Sequence, residues 1–310
     1  MKCILRHKLD CIKMVNNINL TSAGWPAYEL LDSGRQKKLE RFGPYRLIRF
    51  EPEAKWKPAL KDSEWLAADA SFSLEHGKNE GQWKKSSQMP KAWQIKLDVF
   101  TINLFLKSSR HIGIFPEQLP NWEWIKQSTR RQKRKISILN LFAYTGLSTV
   151  YAVSGGAAVT HVDASKSSII IAKKNLGDSG MVNQPVRWII DDAIKFVNRE
   201  VRRGSRYDAI IMDPPKFGRG PGGEIWRFEN DIGELLDSCA SLLSKNPAFF
   251  IITAYSTDAK PSWLGELLKE RLRYFYGEVQ CGYLLQKERS AGRKIIQSLY
   301  ARWENFSYGG

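Results

Sequence analysis

The sequence predicts an α/β chain: a doubly wound, mostly parallel sheet with helices on both faces, preceded by a smaller β-rich module. Three observations predict it. From Ile136 onward, short apolar runs alternate with segments of helical length, the pattern of successive parallel βαβ units. Between Trp25 and Trp124 the rhythm differs, with short alternating segments broken by Gly, Pro and Ser and seven of the eleven tryptophans. Such segments read as small antiparallel strands. Finally, 310 residues suffice for one large domain and a smaller one. The expected divisions are an N-terminal extension over 1–24, the Trp-rich module over 25–125 and the large domain over 126–310.

In the module, "YRLIRFEP" and "FTINLFLK" are the clearest strand candidates, and the tryptophans are read as the core of a small sheet. "KQSTRRQKRK" (126–135) carries six basic residues and no acid; it reads as a solvated face or a helix end, or as a segment that follows a phosphate backbone. Beyond it, "ISILNLF" is a strand, "LSTVYAVS" a helix, "AVTHVD" a strand and "SKSSIIIAKKNLGDSG" a helix closed by Gly180. "VRWII", "YDAIIMD" and "AFFIITAYS" continue the strands, and "AIKFVNREVRR" and "ENDIGELLDSCASLLS" the helices. After "WLGELLKERL" the chain ends in two strand-like segments, "YFYGEVQCGYLL" and "QSLYARW", on either side of the basic turn "QKERSAGRK", which suggests a terminal hairpin at the sheet edge.

Composition narrows the function classes. The chain is 43% hydrophobic and 26% charged, ordinary for a soluble protein. No run approaches the roughly 18 apolar residues of a membrane span. "MKCILRHKLDCIKMVNN" has no signal-peptide pattern, so a cytoplasmic protein with no membrane partner is expected. Cys3, Cys11, Cys239 and Cys281 show no paired spacing, which suggests neither disulfides nor a metal site. A formal charge of +16 points to a polyanionic partner, nucleic acid first.

In doubly wound sheets, ligands bind where the first strand turns into its helix. Here that turn is "AYTG" (Ala143 to Gly146), with one glycine in place of the three that let a backbone approach a pyrophosphate. A phosphate-free ligand with an adenosine-like body fits better, and S-adenosylmethionine is the candidate. Asp163 follows Gly146 by 17 residues and ends the second strand, where a carboxylate can accept both ribose hydroxyls; Ser165 is placed to cap the next helix itself. In "DDA" (Asp191 to Ala193), one acid can cap a helix while the other accepts a proton from an exocyclic amine, with Asp192 preferred for the amine. The fourth strand ends in "MDPPKFGRG" (Met212 to Gly220). Two fixed proline φ angles make a stiff shelf, on which Asp213 and the Pro214 carbonyl can bond a base and Phe217 can stack.

"NLFAYTG", "THVDAS", "DDAIKF" and "MDPPKFGRG", in this order, resemble the class I S-adenosylmethionine-dependent methyltransferases. They are most similar to the bacterial 23S ribosomal RNA large-subunit methyltransferases that modify cytosine C5 or guanine N7. The resemblance runs from about Phe115 to the C-terminus. It implies a Rossmann-like, seven-stranded mixed sheet in which the terminal hairpin supplies the antiparallel strand. It also implies a cytoplasmic rRNA-processing enzyme acting on 23S rRNA or a ribosomal assembly particle. "GIFPEQ" matches a segment that folds over the cofactor in relatives, which brings in Phe115 and Gln118. Asn140, Phe142, Ala143, Tyr144, Thr145 and Gly146 would then line the methionine and sulfonium end. Asp163 would take the ribose, flanked by Ala164 and Ser165, and Asp191, Asp192 and Ala193 would meet the adenine. Asp213, Pro214, Pro215 and Tyr255 would face the target base, with Lys216 and Phe217 beside it.

The C5-modifying relatives attack with a cysteine after the fifth strand. Here that stretch is "TAYST" (Thr253 to Thr257), without cysteine, while Cys239 sits in a helical segment and Cys281 on a strand. Direct transfer to a base nitrogen is therefore expected. The alternatives are cytosine C5 transfer, a protein-amine methyltransferase, and a non-catalytic RNA-binding protein with this fold. A NAD-dependent dehydrogenase is disfavoured by the single glycine and by the scattered His7, His76, His111 and His161, the last read as structural.

Overall fold

A computed structural model describes residues 12–74, 81–255 and 258–305. Cys3, Cys11, His7, His76 and the last two positions of "TAYST" lie outside them. β1 (Ile12–Asn17) and β2 (Leu20–Ser22) come first, followed by a meander of β3 (Tyr28–Gly34), β4 (Lys37–Phe42) and β5 (Tyr45–Phe50). A short helix, α1 (Asp62–Leu66), leads into β6 (Ala70–Leu74) and β7 (Gly81–Lys85), which extend that sheet to five strands. β8 (Ala92–Leu97) and β9 (Phe100–Phe105) form a separate hairpin, and the strict alternation of β8 turns Trp93, Ile95 and Leu97 inward.

A single 3₁₀ turn at Pro116–Gln118 passes into α2 (Leu119–Arg130), so the first half of the basic segment is a helix end. Three of its six cations are engaged within the fold. Lys126 lies 5.2 Å over the Phe100 ring, Arg131 pairs with Glu304, and Arg134 reaches Asp208 at 2.8 Å.

The large domain then alternates as the sequence predicts: β10 (Ser137–Leu141), α3 (Leu147–Ser154), β11 (Ala158–Asp163), α4 (Lys166–Asp178), β12 (Val186–Ile190), α5 (Ala193–Arg202) and β13 (Ala209–Met212). After the shelf, a small antiparallel ribbon forms from β14 (Phe217–Arg219) and β15 (Ile225–Arg227). α6 (Phe228–Ser241), β16 (Phe249–Ala254), α7 (Pro261–Leu272) and the hairpin β17 (Gly277–Lys287) and β18 (Lys294–Glu304) complete the chain.

The main sheet runs β12, β11, β10, β13, β16, β18, β17, β1, with β2 also on β17. From β12 to β16 all neighbours are parallel, and β18 is antiparallel to both of its neighbours. These are the seven expected strands plus two. β1 and β2 pair in parallel with β17, so the N-terminal extension completes the sheet edge.

Strands buried on both faces sort their residues by parity. Ile211, Ile251 and Ile138 join one apolar cluster, and Ile210, Met212, Ile252 and Leu139 the other. The first cluster continues into Trp93, Ile95, Phe100 and Ile102, so the module and this sheet face share one core. The terminal hairpin is also fastened to the meander. Asp32 accepts from Leu60 N at 2.9 Å, Ser290 Oγ at 2.6 Å and Arg293 Nη2 at 3.0 Å, and Glu288 bonds both Ser33 and Arg293.

Candidate active site

Strand order reverses at β10, whose neighbours β11 and β13 lead to opposite sheet edges. That is where an open α/β sheet forms its ligand crevice. A cavity of about 970 Å³ opens there, at the C-terminal ends of β10, β11, β13 and β16. Its walls include Phe115, Phe142, Tyr144, Asp163, Ala164, Ser165, Asp191, Asp192, Ala193, Asp213, Pro215, Lys216, Phe217 and Tyr255.

The first turn is held in a strained form. Phe142 and Tyr144 have φ of 53° and 48°, and Gly146 has φ of 83°. Left-handed backbone at two non-glycine residues costs on the order of 1–3 kcal/mol each and persists only where surrounding structure enforces it. Asp163 is one enforcer: Tyr144 N donates to Oδ2 at 2.7 Å and Ser165 N to Oδ1 at 2.8 Å. Each carboxylate oxygen keeps a lone pair for another donor. Burial pushes the Asp163 carboxyl above its usual range, against those two bonds. Ser165 caps α4, its Oγ accepting from Ser168 N at 3.2 Å, as the sequence suggests.

Asn140, Ala143, Thr145, Gly146, Gln118 and Pro214 fall outside the cavity lining. Asn140 donates to Thr149 Oγ1 at 2.9 Å, and Thr145 to the Gly113 carbonyl at 2.7 Å. A Cβ on Gly146 would stand 2.8 Å from the Ala172 methyl, so this glycine permits helix packing as well as the turn. Buried His161 bonds Thr149 at 2.9 Å and packs on Trp188, a structural role.

The two acids of "DDA" do not divide their work as expected. Asp192 itself caps α5, Oδ1 accepting from Lys195 N at 2.9 Å. Asp191 pairs with Arg199 through Oδ2 and accepts Asp192 N at 2.9 Å through Oδ1. The preferred acid is therefore also the cap, and its Oδ2 is the oxygen left for a ligand.

Asp213 ends β13 on the cavity floor, where Thr253 donates to it and Tyr255 also bonds it. Gln118 Nε2 lies 3.3 Å from Asp213 Oδ1 and donates to Tyr255 Oη at 2.7 Å, so Gln118 sits behind the acid and the tyrosine. Desolvation raises the Asp213 carboxyl to about 7; the bonds from Thr253 and Tyr255 oppose that rise and the nearby Glu117 charge adds to it. Phe115 joins the two sides of the cavity, its ring 5.6 Å from both Tyr144 and Tyr255. Buried Trp226 supports the shelf, donating from Nε1 to the Pro215 carbonyl at 2.6 Å and packing 4.9 Å from Phe142.

Sequence reasoning missed Trp226 and one whole wall. Lys38, Arg49, Arg110, His111 and Glu117 line the cavity from the β-rich module. Buried Glu40 takes Arg49 at 2.6 and 2.7 Å and has Lys38 within 3.8 Å, while Glu51 lies 3.4 Å from Lys38. Burial pushes Glu40 up, but Arg49 and Lys38 outweigh it and hold the carboxyl below its usual range. A signal existed: in "YRLIRF", Arg49 shares the inward phase of Leu47, and a charge on that phase marks a buried pair.

Cys239 and Cys281 are fully buried in the second apolar cluster, and burial raises both thiols, furthest for Cys239. Neither lines the cavity. Cys239→Ala is expected to keep methyl transfer within a few-fold of the parent, measured with labelled cofactor; abolished turnover in a folded variant would make it a nucleophile after all.

The family model for S-adenosylmethionine-dependent methyltransferases matches residues 73–248. The chain belongs to this family. The fold agrees with that membership. The solved SAM-dependent methyltransferase from Agrobacterium tumefaciens is 38% identical with a TM-score of 0.89, over 94% of this chain and 97% of that one. Ribosomal RNA large subunit methyltransferase K of Neisseria meningitidis is 31% identical over 135 residues, 43% of this chain and 37% of that protein. Ribosomal RNA large subunit methyltransferase I of Klebsiella pneumoniae is 36% identical over 91 residues, 29% of this chain and 23% of that protein. These curated relatives are thus matched over less than two fifths of their length. A chain named SMU.776, solved with SAH, shares the fold at 18% identity and a TM-score of 0.64, over 89% of this chain and 75% of that one.

The methyltransferase's cavity suits the family's cofactor. It offers a carboxylate with two spare lone pairs at Asp163, aromatic walls and no diphosphate cradle. At about 970 Å³ it has room for the cofactor and a base together. Among the described residues, no helix is long and apolar enough to cross a membrane, and no group of three metal-ligating side chains occurs.

Proposed function

We propose that this methyltransferase modifies RNA, transferring the methyl group directly to a base nitrogen, with ribosomal RNA of the large subunit as the substrate class. The observation that carries the reading is the pairing of a near-neutral acid, Asp213, with a stiff proline shelf where no described cysteine lines the cavity. The +16 charge and the names of the matched relatives support RNA.

When bound, S-adenosylmethionine supplies a methyl group already activated on a sulfonium, which departs as a neutral thioether. In this reading Asp163 accepts the ribose hydroxyls and Asp192 Oδ2 the adenine amine, while Phe142 and Tyr144 enclose the cofactor. Asp213 accepts hydrogen bonds from the target base, which lies against Pro215. If the acceptor is an exocyclic amine, Asp213 takes the proton it sheds; a ring nitrogen has none to give. Thr253, Tyr255 and Gln118 fix the carboxylate for either role, so orientation supplies much of the rate.

Asp163→Ala is expected to weaken S-adenosylmethionine binding by about 1–3 kcal/mol, because a charged acceptor is lost. Calorimetric titration checks this, and unchanged affinity would end the ribose assignment. The substrate reading is tested with methyl-labelled cofactor and total RNA from a strain lacking this gene, with nucleosides identified by mass spectrometry. Label in a methylated guanine or adenine supports it. Label in 5-methylcytosine overturns the nitrogen acceptor, and label confined to protein overturns RNA.

A further inference from the structure

The ribbon β14–β15 stands at the rim of the cavity and has two unlike faces. Antiparallel pairing sets Phe217 opposite Arg227 and Arg219 opposite Ile225. With a side-chain period of two, these four residues share one face, while Gly218 and Trp226 share the other. The inner face is fastened down through Trp226, as described above. A Cβ on Gly218 would stand 3.4 Å from Pro215 and 3.6 Å from Trp226, so the ribbon lies directly against the shelf.

The outer face is open. Phe217 and Ile225 are 66% and 64% exposed, an unusual cost for two large apolar side chains on one short ribbon. Arg219 and Arg227 are exposed between them, and among the described residues neither guanidinium forms an ion pair. Two neighbouring acids are engaged elsewhere: Glu224 with Lys195 and the Gly222 N–H, and Asp231 with the Arg227 N–H. Lys216 adds a third cation, 5.9 Å from the Phe217 ring. A groove along this face is lined by Phe217, Arg219, Ile225 and Arg227, and Glu229 is the one acid in its lining.

We infer that this face docks the single-stranded RNA flanking the target nucleotide; the inference rests on the RNA reading above and specifies its binding surface. Apolar side chains alternating with cations match the two chemistries of a single strand. Unpaired bases present flat apolar faces that stack at about 1–3 kcal/mol each, and phosphates take the arginines. A duplex hides its base faces within its own stack and offers only the phosphates. Trp226 bonds the ribbon to the shelf, so bases held on Phe217 and Ile225 lie next to the base presented to Asp213. Stacking there offsets the unstacking that an extruded target base requires.

The test is fluorescence anisotropy with the full chain, using a fluorescein-labelled RNA of unstructured sequence, alone and annealed to its complement. The single strand is expected to bind more tightly than the duplex. Replacing Phe217 and Ile225 together with Ala should weaken single-strand binding by about tenfold or more. Replacing Arg219 and Arg227 with Gln should lower the slope of log affinity against log salt by about 1.4, two phosphates' worth. Thermal melting shows that the variants are folded. Unchanged affinity and slope, or a preference for duplex, would overturn the inference. RNA methylation with an unaltered KM in the variants would sink the docking surface alone. Ribbon-dependent RNA binding without methyl transfer would sink the substrate reading and leave the surface standing.

Discussion

Asp213→Asn is expected to lower kcat by about 10²- to 10⁴-fold, the range for losing a positioned proton acceptor, with a much smaller change in cofactor affinity. Asparagine keeps the size and one acceptor oxygen but neither the charge nor the ability to take a proton. Because the carboxyl titrates near 7, parent turnover should rise as the pH passes about 7 and then level off, whereas the variant should show no such step. Stability should move the other way. An acid whose folded pKa lies above its ordinary 3.8 contributes stability at low pH that is lost as the pH rises through the folded value. The variant's melting temperature relative to the parent should therefore improve on going from acidic to mildly alkaline buffer. A ring-nitrogen acceptor would show as a loss near the lower end of the range. Equal losses in kcat and cofactor affinity would instead place Asp213 in the cofactor subsite.

Glu40→Ala should destabilise the fold by about 3–5 kcal/mol, the cost of removing one partner from a buried ion pair. Glu40 is fully buried and takes both Arg49 nitrogens, with Lys38 and the Tyr28 hydroxyl also close. Removing it leaves two cations facing each other across β4 and β5, where Lys38 and Arg49 are register partners. Denaturant unfolding measures the loss, and a change below about 1 kcal/mol would mean that water reaches the cluster. Because Lys38 and Arg49 also line the cavity, surviving protein should bind its ligands more weakly. Arg49→Met together with Glu40→Met, which removes both charges, should recover much of the stability.

The sheet was legible wherever local pattern and tertiary burial agree. "AVTHVD" and "VRWII" are strands at those residues, and "LSTVYAVS" is a helix at those residues. Residue chemistry also marks where the next element begins, as Ser165 does by capping the start of α4. The acids at strand ends were legible for the same reason, since the end of a parallel strand is both a boundary and a binding position. What stayed hidden depends on distant partners. β1 and β2 are short and partly polar, and become strands only because β17 offers an edge. The ribbon lies among glycines at 218, 220, 222 and 223, and Trp226 takes its place from the distant Pro215 carbonyl and Phe142 ring. The division of labour between Asp191 and Asp192 turned on Arg199, about two helical turns further on, which sequence spacing alone does not orient.

The pairing of β1 with β17 bears on when the protein can work during its own synthesis. Asn16 and Glu278 bond across 262 positions, and Lys38 bonds Gln286 and Gln297 of the final hairpin. Ribosomes deliver residues in order, and contacts this distant in sequence close slowly and late. The meander that forms one wall of the cavity therefore waits for the last strands before it can settle. A nascent chain released short of β18 would carry the turn around Asp163 and the Asp213 shelf, yet its site would lack a finished wall. A finished site thus has to wait until both strands of the β17–β18 hairpin have been made.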